Sequence, residues 1–302
     1  MNKIFAAVFG LLFFIFNTCA AYTDEGKLRV TMLDVGQGDA FLVETPTQNI
    51  LIDTGDVDAN DKLLAGLNKA GVNRLERVIL THPHSDHIGG IQAVLKNFPV
   101  DEIIDNGIAS SSPLYKNYRK ADVQFSSLVA GDIVDFGGGV QFKVFYPTTE
   151  LVKAVTSKSQ KSKPNNESIV GKLTFGDFSM LFTGDAEKAV EDEILSPYLK
   201  ATILKAGHHG SRTSSSANFI ANVRPEYVFI SAGKNNRFGH PNKQALENYR
   251  VNFVLPEKIF CTAFNGTVVV ETDGLNHIVL PERFNDWVES YSGEIITVTR
   301  LG

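Results

Sequence analysis

Cysteine is scarce in this chain of 302 residues, which contains only Cys19 and Cys261. If the N-terminal segment that carries Cys19 is removed, no intrachain disulfide can form, even in a compartment that would permit one. Stability must then come from a packed core. With 43% apolar and 21% charged residues, the composition is typical of a folded globular protein. The length suffices for one large domain or two smaller ones.

Basic residues are outnumbered, since 29 lysines and arginines stand against 34 aspartates and glutamates, which gives a formal net charge of −5. An acidic chain is not an obvious binder of nucleic acid, because the phosphate backbone is itself negative. Any role on nucleic acid would therefore need a local basic surface.

The apolar run at the N-terminus, residues 4–16, is too short to span a membrane comfortably. Lys3 before this run and small residues after it predict a secretory signal peptide at 1–21, with cleavage one residue earlier as an alternative. We therefore expect one domain at 22–302, periplasmic or secreted, with no stable membrane insertion after processing. A lipoprotein anchored through Cys19 and an uncleaved anchor are further alternatives.

Predicted strands and helices are mixed throughout the chain, which predicts an α/β layered fold. Strands are expected at 28–33, 40–44, 49–53, 76–81, 100–105, 140–147, 168–176, 178–185, 201–206, 226–233, 258–262, 266–272 and 294–299, and helices at 60–71, 89–98, 186–195, 216–223 and 243–251. The segment at 153–164, rich in lysine and serine, is predicted to be a mobile loop. It is either a solvated connector or a flap that faces phosphate.

The stretch THPHSDHIGG at 81–90 concentrates metal-ligating side chains. His82 and His84 alternate at the end of a predicted strand, so both can face one cavity, and Asp86 and His87 follow at once. Imidazole and carboxylate are the usual ligands of zinc and its neighbours. The spacing predicts a metal site, and a second ion would need another group of ligands and a bridge.

This stretch resembles the signature of the metallo-β-lactamase superfamily, and further motifs follow in the matching order. The resemblance implies a four-layer αββα sandwich with two mixed β-sheets. LIDTG at 51–55 corresponds to a motif whose aspartate, Asp53, orients ligands from behind. LFTGD at 181–185 supplies a bridging aspartate, Asp185. LKAGHHGS at 204–211 supplies the late histidines.

A narrower resemblance is to the ComEC-type branch, which includes the soluble domain of DNA-internalisation competence proteins. It is carried by MLDVGQGDAFLVE, HHGSRTSS, GHP and NGTVVVETDG, and covers residues 28–275. The chain lacks the many membrane spans of a competence channel, so a transport function is not expected from it.

The region KPNNESIV departs from many members of the superfamily, because asparagine stands where they place a third histidine. Members of the ComEC-type branch share this feature. Asn165 is favoured as the ligand over Asn166, and either one is alternatively an ordinary turn residue. An amide oxygen is a harder, weaker donor than imidazole, so the site is expected to accept manganese as well as zinc.

The two adjacent histidines of HHGS are expected to divide their roles, because neighbouring side chains at a strand end point to opposite sides. His208 is predicted to bind metal. His209 is predicted to contact the substrate or protonate the leaving group, and His240 in FGHP either does the same or is structural. Asp86 is expected to serve catalysis as well as metal binding. His277 has no motif around it and is predicted to be structural or exposed.

Two polar motifs are predicted to reach the substrate. The turn DVGQGD places Asp39 on the rim of the site, or else serves turn geometry alone. Ser211, Ser214 and Ser215 follow the histidine pair and suit phosphate oxygens, although the same serines can cap the next helix.

The resulting hypothesis is a secreted hydrolase with two divalent ions, zinc or manganese, that attacks phosphodiesters with a metal-bound hydroxide. DNA is among the candidate substrates. The alternatives are a hydrolase of β-lactams or lactones and a non-catalytic, metal-stabilised binding module. The oligomeric state is left open, and the last twenty residues, including Trp287, match no motif.

Overall fold

A computed structural model describes residues 26–284 and Trp287. The predicted signal peptide at 1–21 and the predicted strand at 294–299 lie outside these residues. The strands are β1 Leu28–Met32, β2 Phe41–Glu44, β3 Asn49–Ile52, β4 Leu75–Ile79, β5 Val100–Asp105, β6 Gln124–Ser127, β7 Ile133–Gly137, β8 Val140–Tyr146, β9 Val170–Phe175, β10 Phe178–Phe182, β11 Ile203–Lys205, β12 Tyr227–Ile230, β13 Ile259–Cys261, β14 Val268–Thr272 and β15 His277–Pro281.

Helices separate many of these strands. They are α1 Asn60–Lys69, α2 Ser85–Ile88, α3 Ile91–Asn97, α4 Pro113–Tyr118, α5 Thr149–Thr156, α6 Lys188–Ile194, α7 Ala217–Val223, α8 Lys243–Val251 and α9 Thr262–Asn265. None of the helices within the described ranges has the length and apolar composition of a membrane span.

The strands form two mixed sheets. The first has the order β15-β14-β1-β2-β3-β4-β5-β6 and the second the order β13-β12-β11-β10-β9-β8-β7. In each sheet one part is antiparallel and the other parallel: β3 to β6 run parallel in the first, and β10 to β13 in the second. The parallel parts arise where helices connect successive strands, as in βαβ units.

Three apolar cores divide the molecule into layers. The middle core lies between the sheets and contains Phe41, Phe142 and Phe182. A second core packs the β10–β13 half against α6, α7 and α8. The third packs the β3–β5 half against α1 and α3. Each sheet is thus covered on its outer face by helices, which confirms the predicted αββα sandwich.

The elements that the sequence did not predict share a weak apolar signal. β6, β7 and β15 are all edge strands, and most of their residues are exposed or half-buried. Edge strands bury little surface, so alternation of apolar residues is not required of them. The helices α2, α4 and α9, each of four to six residues, are too short for a periodic pattern.

The predicted loop at 153–164 is partly wrong, because its first residues belong to α5. The hydroxyl of Thr148 accepts a hydrogen bond from the backbone N–H of Leu151 (3.2 Å) and caps this helix. The following segment, 157–163, is exposed. The Ser162 hydroxyl and the Lys163 backbone N–H both donate to the buried carboxylate of Glu167. A solvated connector fits these contacts, and a flap that faces phosphate stays a prediction.

Candidate metal centre

The candidate site lies at the carboxyl ends of the parallel strands, where both sheets meet. β4 and β10 lead into Thr81 and Thr183, and the backbone N–H of Ile169 donates to the carbonyl of Thr81 (3.0 Å), linking the sheets at this edge. Crevices at the carboxyl ends of parallel strands are common ligand sites, because loops from several strands converge there.

The loop from His82 to Gly90 is shaped by close backbone packing. A Cβ atom on Gly90 would lie 2.3 Å from the carbonyl oxygen of Thr54, and one on Gly38 would lie 2.3 Å from that of Asp86. Only glycine fits at these contacts. The glycine turn before β2 therefore packs directly on the histidine loop and holds it in place.

Asp53 supports the site from behind. Its carboxylate accepts hydrogen bonds from the backbone N–H and the hydroxyl of Thr81 (both 2.8 Å) and lies 2.8 Å from His87 Nδ1. With Nδ1–H directed at Asp53, the Nε2 lone pair of His87 points into the site. This is the orienting position that the sequence predicts for Asp53, and carboxylates often hold ligating imidazoles in this way.

Asp185 lies at the centre, with its two carboxylate oxygens turned to different histidines. Oδ1 lies 3.2 Å from His87 Nε2 and 3.5 Å from His209 Nε2. Oδ2 lies 3.8 Å from His82 Nε2 and 3.7 Å from His208 Nε2. One carboxylate therefore borders two sets of imidazoles.

Asp185 belongs to two groups of potential metal donors, and a third group, Asp39, Asp53 and His87, lies behind them. Asp86, His87, Asp185 and His209 form one group, and His82, His84 and Asp185 form the other; within each, one donor atom per residue lies within 4.8 Å of the others. In the second group His82 Nε2 lies 3.0 Å from His84 Nδ1. Groups of this composition are able to bind a metal ion.

Orphaned polar atoms support this interpretation. Among the described residues, His87 Nε2, Asp185 Oδ1, His209 Nε2 and Asn165 Oδ1 are buried without a hydrogen-bond partner. Buried polar atoms are nearly always paired, because an unpaired one costs free energy. One of these atoms belongs to the central carboxylate of Asp185 and the other three to residues around it, an arrangement that fits a cation that accepts their lone pairs.

The two asparagines differ in what their side chains do. Asn166 donates to a Glu187 carboxylate oxygen (3.1 Å) and accepts from the Glu187 backbone N–H (3.0 Å), so both ends of its amide are occupied. The Asn165 amide nitrogen lies 3.4 Å from His208 Nε2, and its oxygen is unpaired. Of the two amide oxygens, only that of Asn165 is left without a partner, and its role as a ligand stays a prediction.

The adjacent histidines do not follow the strand alternation from which their separate roles were predicted. β11 ends at Lys205, and His208 and His209 both lie in a 3-10 turn with left-handed backbone, at φ of 47° and 56°. The alternation of a strand therefore does not apply, and both rings face Asp185. His209 is 1% exposed and belongs to the four-residue group. Its Nδ1 lies 2.8 Å from the carbonyl oxygen of Ser231, which leaves Nε2 for the site. His208 is half-buried, and its Nδ1 lies 3.6 Å from a carboxylate oxygen of Glu187.

Lys205 is a component of the site that sequence reasoning missed. Its ammonium group donates to the carbonyl of Gly184 (2.7 Å), pairs with the Asp39 carboxylate and lies 3.9 Å from Asp185 Oδ1. The sequence does contain an indication of this role, because Lys205 is the one charged residue in the otherwise apolar predicted strand ATILKA. Ser168 was also missed: its hydroxyl accepts from the Asp185 N–H (3.0 Å) and lies 3.2 Å from His82 Nδ1.

Asp39 is not on the rim, contrary to one prediction. It is 2% exposed, and Oδ1 lies 3.3 Å from His209 Nδ1. Its backbone N–H donates to the carbonyl of Asp86 (3.0 Å). Asp39 therefore joins Lys205 and His209 beneath the site instead of reaching a substrate.

The predicted substrate contacts of the serines also need correction. The Ser214 hydroxyl donates to the Gly207 carbonyl (3.1 Å), and Ser215 accepts from the Tyr249 hydroxyl (2.7 Å). Ser211 is 5% exposed and lies 3.0 Å from the Thr213 hydroxyl. These buried hydroxyls form hydrogen bonds with other groups of the protein and stabilise the turn that contains His208 and His209. The next serine, Ser216, caps α7.

The remaining residues that the sequence analysis discussed are His240, which lies close to the candidate metal centre, and His277 and Trp287. The half-buried imidazole of His240 lies beside the site, with its ring centre 5.5 Å from that of His208 and 6.3 Å from that of His209. His277 is remote: it lies 3.5 Å from a Glu226 carboxylate oxygen and packs on Tyr227, in keeping with a structural role. Trp287 is buried and stacks on Phe264.

The electrostatics of the site reflect its crowded carboxylates. Burial opposes ionisation of Asp185, but His209 and His87 outweigh it and hold its pKa well below the usual value. Burial likewise opposes a charge on His209, yet Asp185 and Asp39 raise its pKa to about 10. The site is therefore built to hold positive charge, whether protons or metal ions.

These features together define the class of protein. Two histidine groups share one aspartate at the carboxyl edge of an αββα sandwich, and the donors are those of a metal-dependent hydrolase. A model of the family described as Metallo-beta-lactamase superfamily matches residues 33–234. The chain belongs to this superfamily.

Individual relatives support the resemblance to the ComEC-type branch. The chain is 32% identical over 270 residues to ComE operon protein 3 of Bacillus subtilis (strain 168), which covers 82% of this chain and 33% of that protein. It is 32% identical over 249 residues to Competence protein ComA of Neisseria gonorrhoeae, covering 81% and 32%. The chain thus spans about a third of the length of these relatives. The metallo-beta-lactamase fold protein YhfI from Bacillus subtilis is similar in fold, with a TM-score of 0.53, 14% identity, and coverage of 82% of this chain and 100% of that chain.

Proposed function

We propose that the protein hydrolyses phosphodiesters with two divalent cations held by the two donor groups. The observation that carries this proposal is the position of Asp185, whose Oδ1 faces His87 and His209 while Oδ2 faces His82. A carboxylate with one oxygen toward each group is suited to bridge two ions. Zinc and manganese both suit these donors.

The proposed ligands follow from the geometry. His82, His84 and Asp185 would hold one ion, with the Asn165 oxygen as a further donor. Asp86, His87, His209 and Asp185 would hold the other. Asp53 and Ser168 keep His87 and His82 oriented through their Nδ1 atoms. His209 therefore takes the ligand role that the sequence predicted for His208.

Bound divalent cations lower the pKa of water toward neutrality and stabilise negative charge on a phosphoryl oxygen. The chain's own contribution at the open side is His240. Burial and the imidazoles of His209 and His208 lower the pKa of His240 to about 4, so its ring is neutral at physiological pH. In this proposal His240 contacts the substrate by donating a hydrogen bond to a phosphate oxygen, which is one of the roles that the sequence left open. It does not take the other catalytic role, protonation of the leaving group.

A phosphodiester is preferred over a β-lactam because of the surroundings. Arg212 is exposed directly after the histidine turn, and Lys234 and Arg237 are exposed in the loop that leads to His240. Cations beside the site attract a phosphate chain. The resemblance to DNA-internalisation competence proteins supports the same choice.

The proposal includes a location in the periplasm or outside the cell. It rests on the predicted signal peptide at 1–21, which is not among the described residues. Expression of the full chain in a Gram-negative bacterium, followed by fractionation and intact-mass measurement of the product, tests it. A product that retains residues 1–21 in the cytoplasm would overturn this part.

The test of activity uses bis(p-nitrophenyl) phosphate and DNA oligonucleotides with Mn²⁺ or Zn²⁺. We expect turnover by the wild type and a loss of at least 100-fold in the His82→Ala/Asp185→Ala double variant, in keeping with the size of metal-centre contributions. The matched control is His277→Ala, which removes a remote imidazole and should leave turnover unchanged. No cleavage of any phosphodiester with either metal, or efficient turnover of nitrocefin instead, would overturn the proposal.

A further inference from the structure

The loop at 234–243 presents an exposed aromatic ring next to the candidate metal centre. We propose that Phe238 is a stacking platform for a base of single-stranded nucleic acid, which places the neighbouring phosphate at the metal centre. This inference rests on the proposed phosphodiester hydrolysis and names the substrate class of that same site.

Three rings, those of His209, His240 and Phe238, lead from the buried site to the surface. His240 is inclined by 28° to the ring of His209 at a centroid distance of 6.3 Å, and Phe238 is inclined by 24° to His240 at 5.7 Å. Phe238 is 52% exposed, so the outermost ring of this series is partly open to solvent. The guanidinium carbon of Arg237 lies 4.9 Å from the Phe238 centroid, an arrangement that adds positive charge at the ring.

The exposure of Phe238 is built into the loop. The Asn236 amide nitrogen donates to the carbonyls of Gly233 (2.9 Å) and His240 (2.5 Å). Its amide oxygen accepts from the backbone N–H groups of Phe238 (3.1 Å) and His240 (3.0 Å). One side chain thus ties the loop together with four hydrogen bonds, and the ring is held outward before any ligand arrives. Such preorganisation reduces the entropy cost of binding.

The loop also supplies the local basic surface that an acidic chain needs for nucleic acid. Residues 234–243, KNNRFGHPNK, contain Lys234, Arg237 and Lys243 and no acidic residue, in a chain of net charge −5. All three are exposed, and among the described residues none forms an ion pair. Phosphates attract such cations, and aromatic rings interleaved with them are the usual platform for single-stranded bases.

A duplex does not suit this arrangement, because its bases are stacked on one another and offer no free face to a side chain. A lone exposed phenylalanine is common and by itself means little. Phe253 shows the difference: it is 91% exposed, and within the described chain it has no ring or cation contact. It therefore supplies the matched control for Phe238.

The test measures the binding of a single-stranded oligonucleotide that carries 2-aminopurine, with phosphorothioate linkages to slow cleavage. Stacking on an aromatic ring quenches the fluorescence of this base. We expect the Phe238→Ala variant to lose the quenching and to bind about 5- to 150-fold more weakly, the range expected for one stacked base. Phe238→Tyr should retain both, and Phe253→Ala should behave as the wild type. The same measurement with DNA and with RNA oligonucleotides shows which of the two single strands the protein binds more tightly.

An oligonucleotide with an abasic site in place of 2-aminopurine completes the design. The wild type should bind it as weakly as Phe238→Ala binds the intact strand. Equal affinity of the wild type and the Phe238→Ala variant for the intact strand, or tighter binding of duplex than of single strand, would overturn the inference. The binding result is readable even if no phosphodiester is cleaved, so a failure of the proposed hydrolysis and a failure of base stacking are distinguishable.

Discussion

Lys205 and Asp39 form an ion pair in the interior of the protein, where Lys205 is 1% exposed and Asp39 is 2% exposed. The ammonium group also lies 3.9 Å from the Asp185 carboxylate. A fixed lysine thus sits beneath the donor groups and balances two carboxylates that would otherwise repel each other at close range.

Replacement of Lys205 by methionine should destabilise the protein strongly. The substitution roughly keeps the length of the side chain but leaves the buried Asp39 carboxylate without its ammonium partner, so we expect the free energy of unfolding to fall by about 3–5 kcal/mol. Urea unfolding at a fixed metal concentration measures this. The double variant Asp39→Asn/Lys205→Met should recover much of the loss, since no unpaired charge remains. Equal stability of Lys205→Met and the wild type would refute the structural role of the pair.

The two adjacent histidines should differ in metal binding. His209 lies within the four-residue group, whereas His208 lies outside both groups. We expect His209→Ala to lose about one equivalent of metal after dialysis, because the remaining donors are fewer than a stable site requires. His208→Ala should retain its metal, as should His277→Ala, a control far from the site. Atomic emission spectrometry measures the metal content of each variant. Loss of metal from His208→Ala but not from His209→Ala would support the assignment of His208 as the ligand, which was made from the sequence.

Metal affinity should rise with pH through the neutral range. In the metal-free protein, Asp185 and Asp39 raise the pKa of His209 to about 10 against the opposing effect of burial. The pKa of His87 is likewise raised, by Asp185 and Asp53. The ring of His209 is then protonated at pH 7, the shift at His87 has the same direction, and a cation must displace protons. Affinity should increase about tenfold per pH unit for each displaced proton.

Calorimetric titration in buffers of different ionisation enthalpy counts the released protons. Equal affinity at pH 6 and pH 8, without proton release, would contradict the expected coupling. The His277→Ala variant should show the same pH dependence as the wild type, because that imidazole lies away from the site.

Cys261 should be inert in the folded protein. Burial raises the pKa of its thiol to about 12, and the reactive species is the thiolate. In a Cys19→Ser variant, a colorimetric thiol reagent should detect no thiol under native conditions and one thiol per chain in urea. Rapid labelling of the native protein would show that β13 opens far more easily than its buried position indicates.

Much of the fold was predictable from local patterns. Central strands such as β2, β3 and β10 are mostly buried, so their sequences are mostly apolar and bounded by turns. The edge strands β6, β7 and β15 were not predictable, because half-exposed strands carry no such constraint. The helix α5 was missed because it is short and its last four residues run directly into the segment rich in lysine and serine, and its capping by Thr148 is a single contact.

For the site, the printed sequence already contains the donor types and their order: histidines and aspartate in one loop, a later aspartate and a histidine pair. These are set by chemistry, since few side chains bind metal. Which atoms meet was decided only when the two sheets packed face to face and brought Asp185 against the histidine loop. The left-handed backbone at His208 and His209 turned both rings to that carboxylate, and burial paired Lys205 with Asp39. Distances between remote segments depend on packing of the whole core, and no local pattern encodes them.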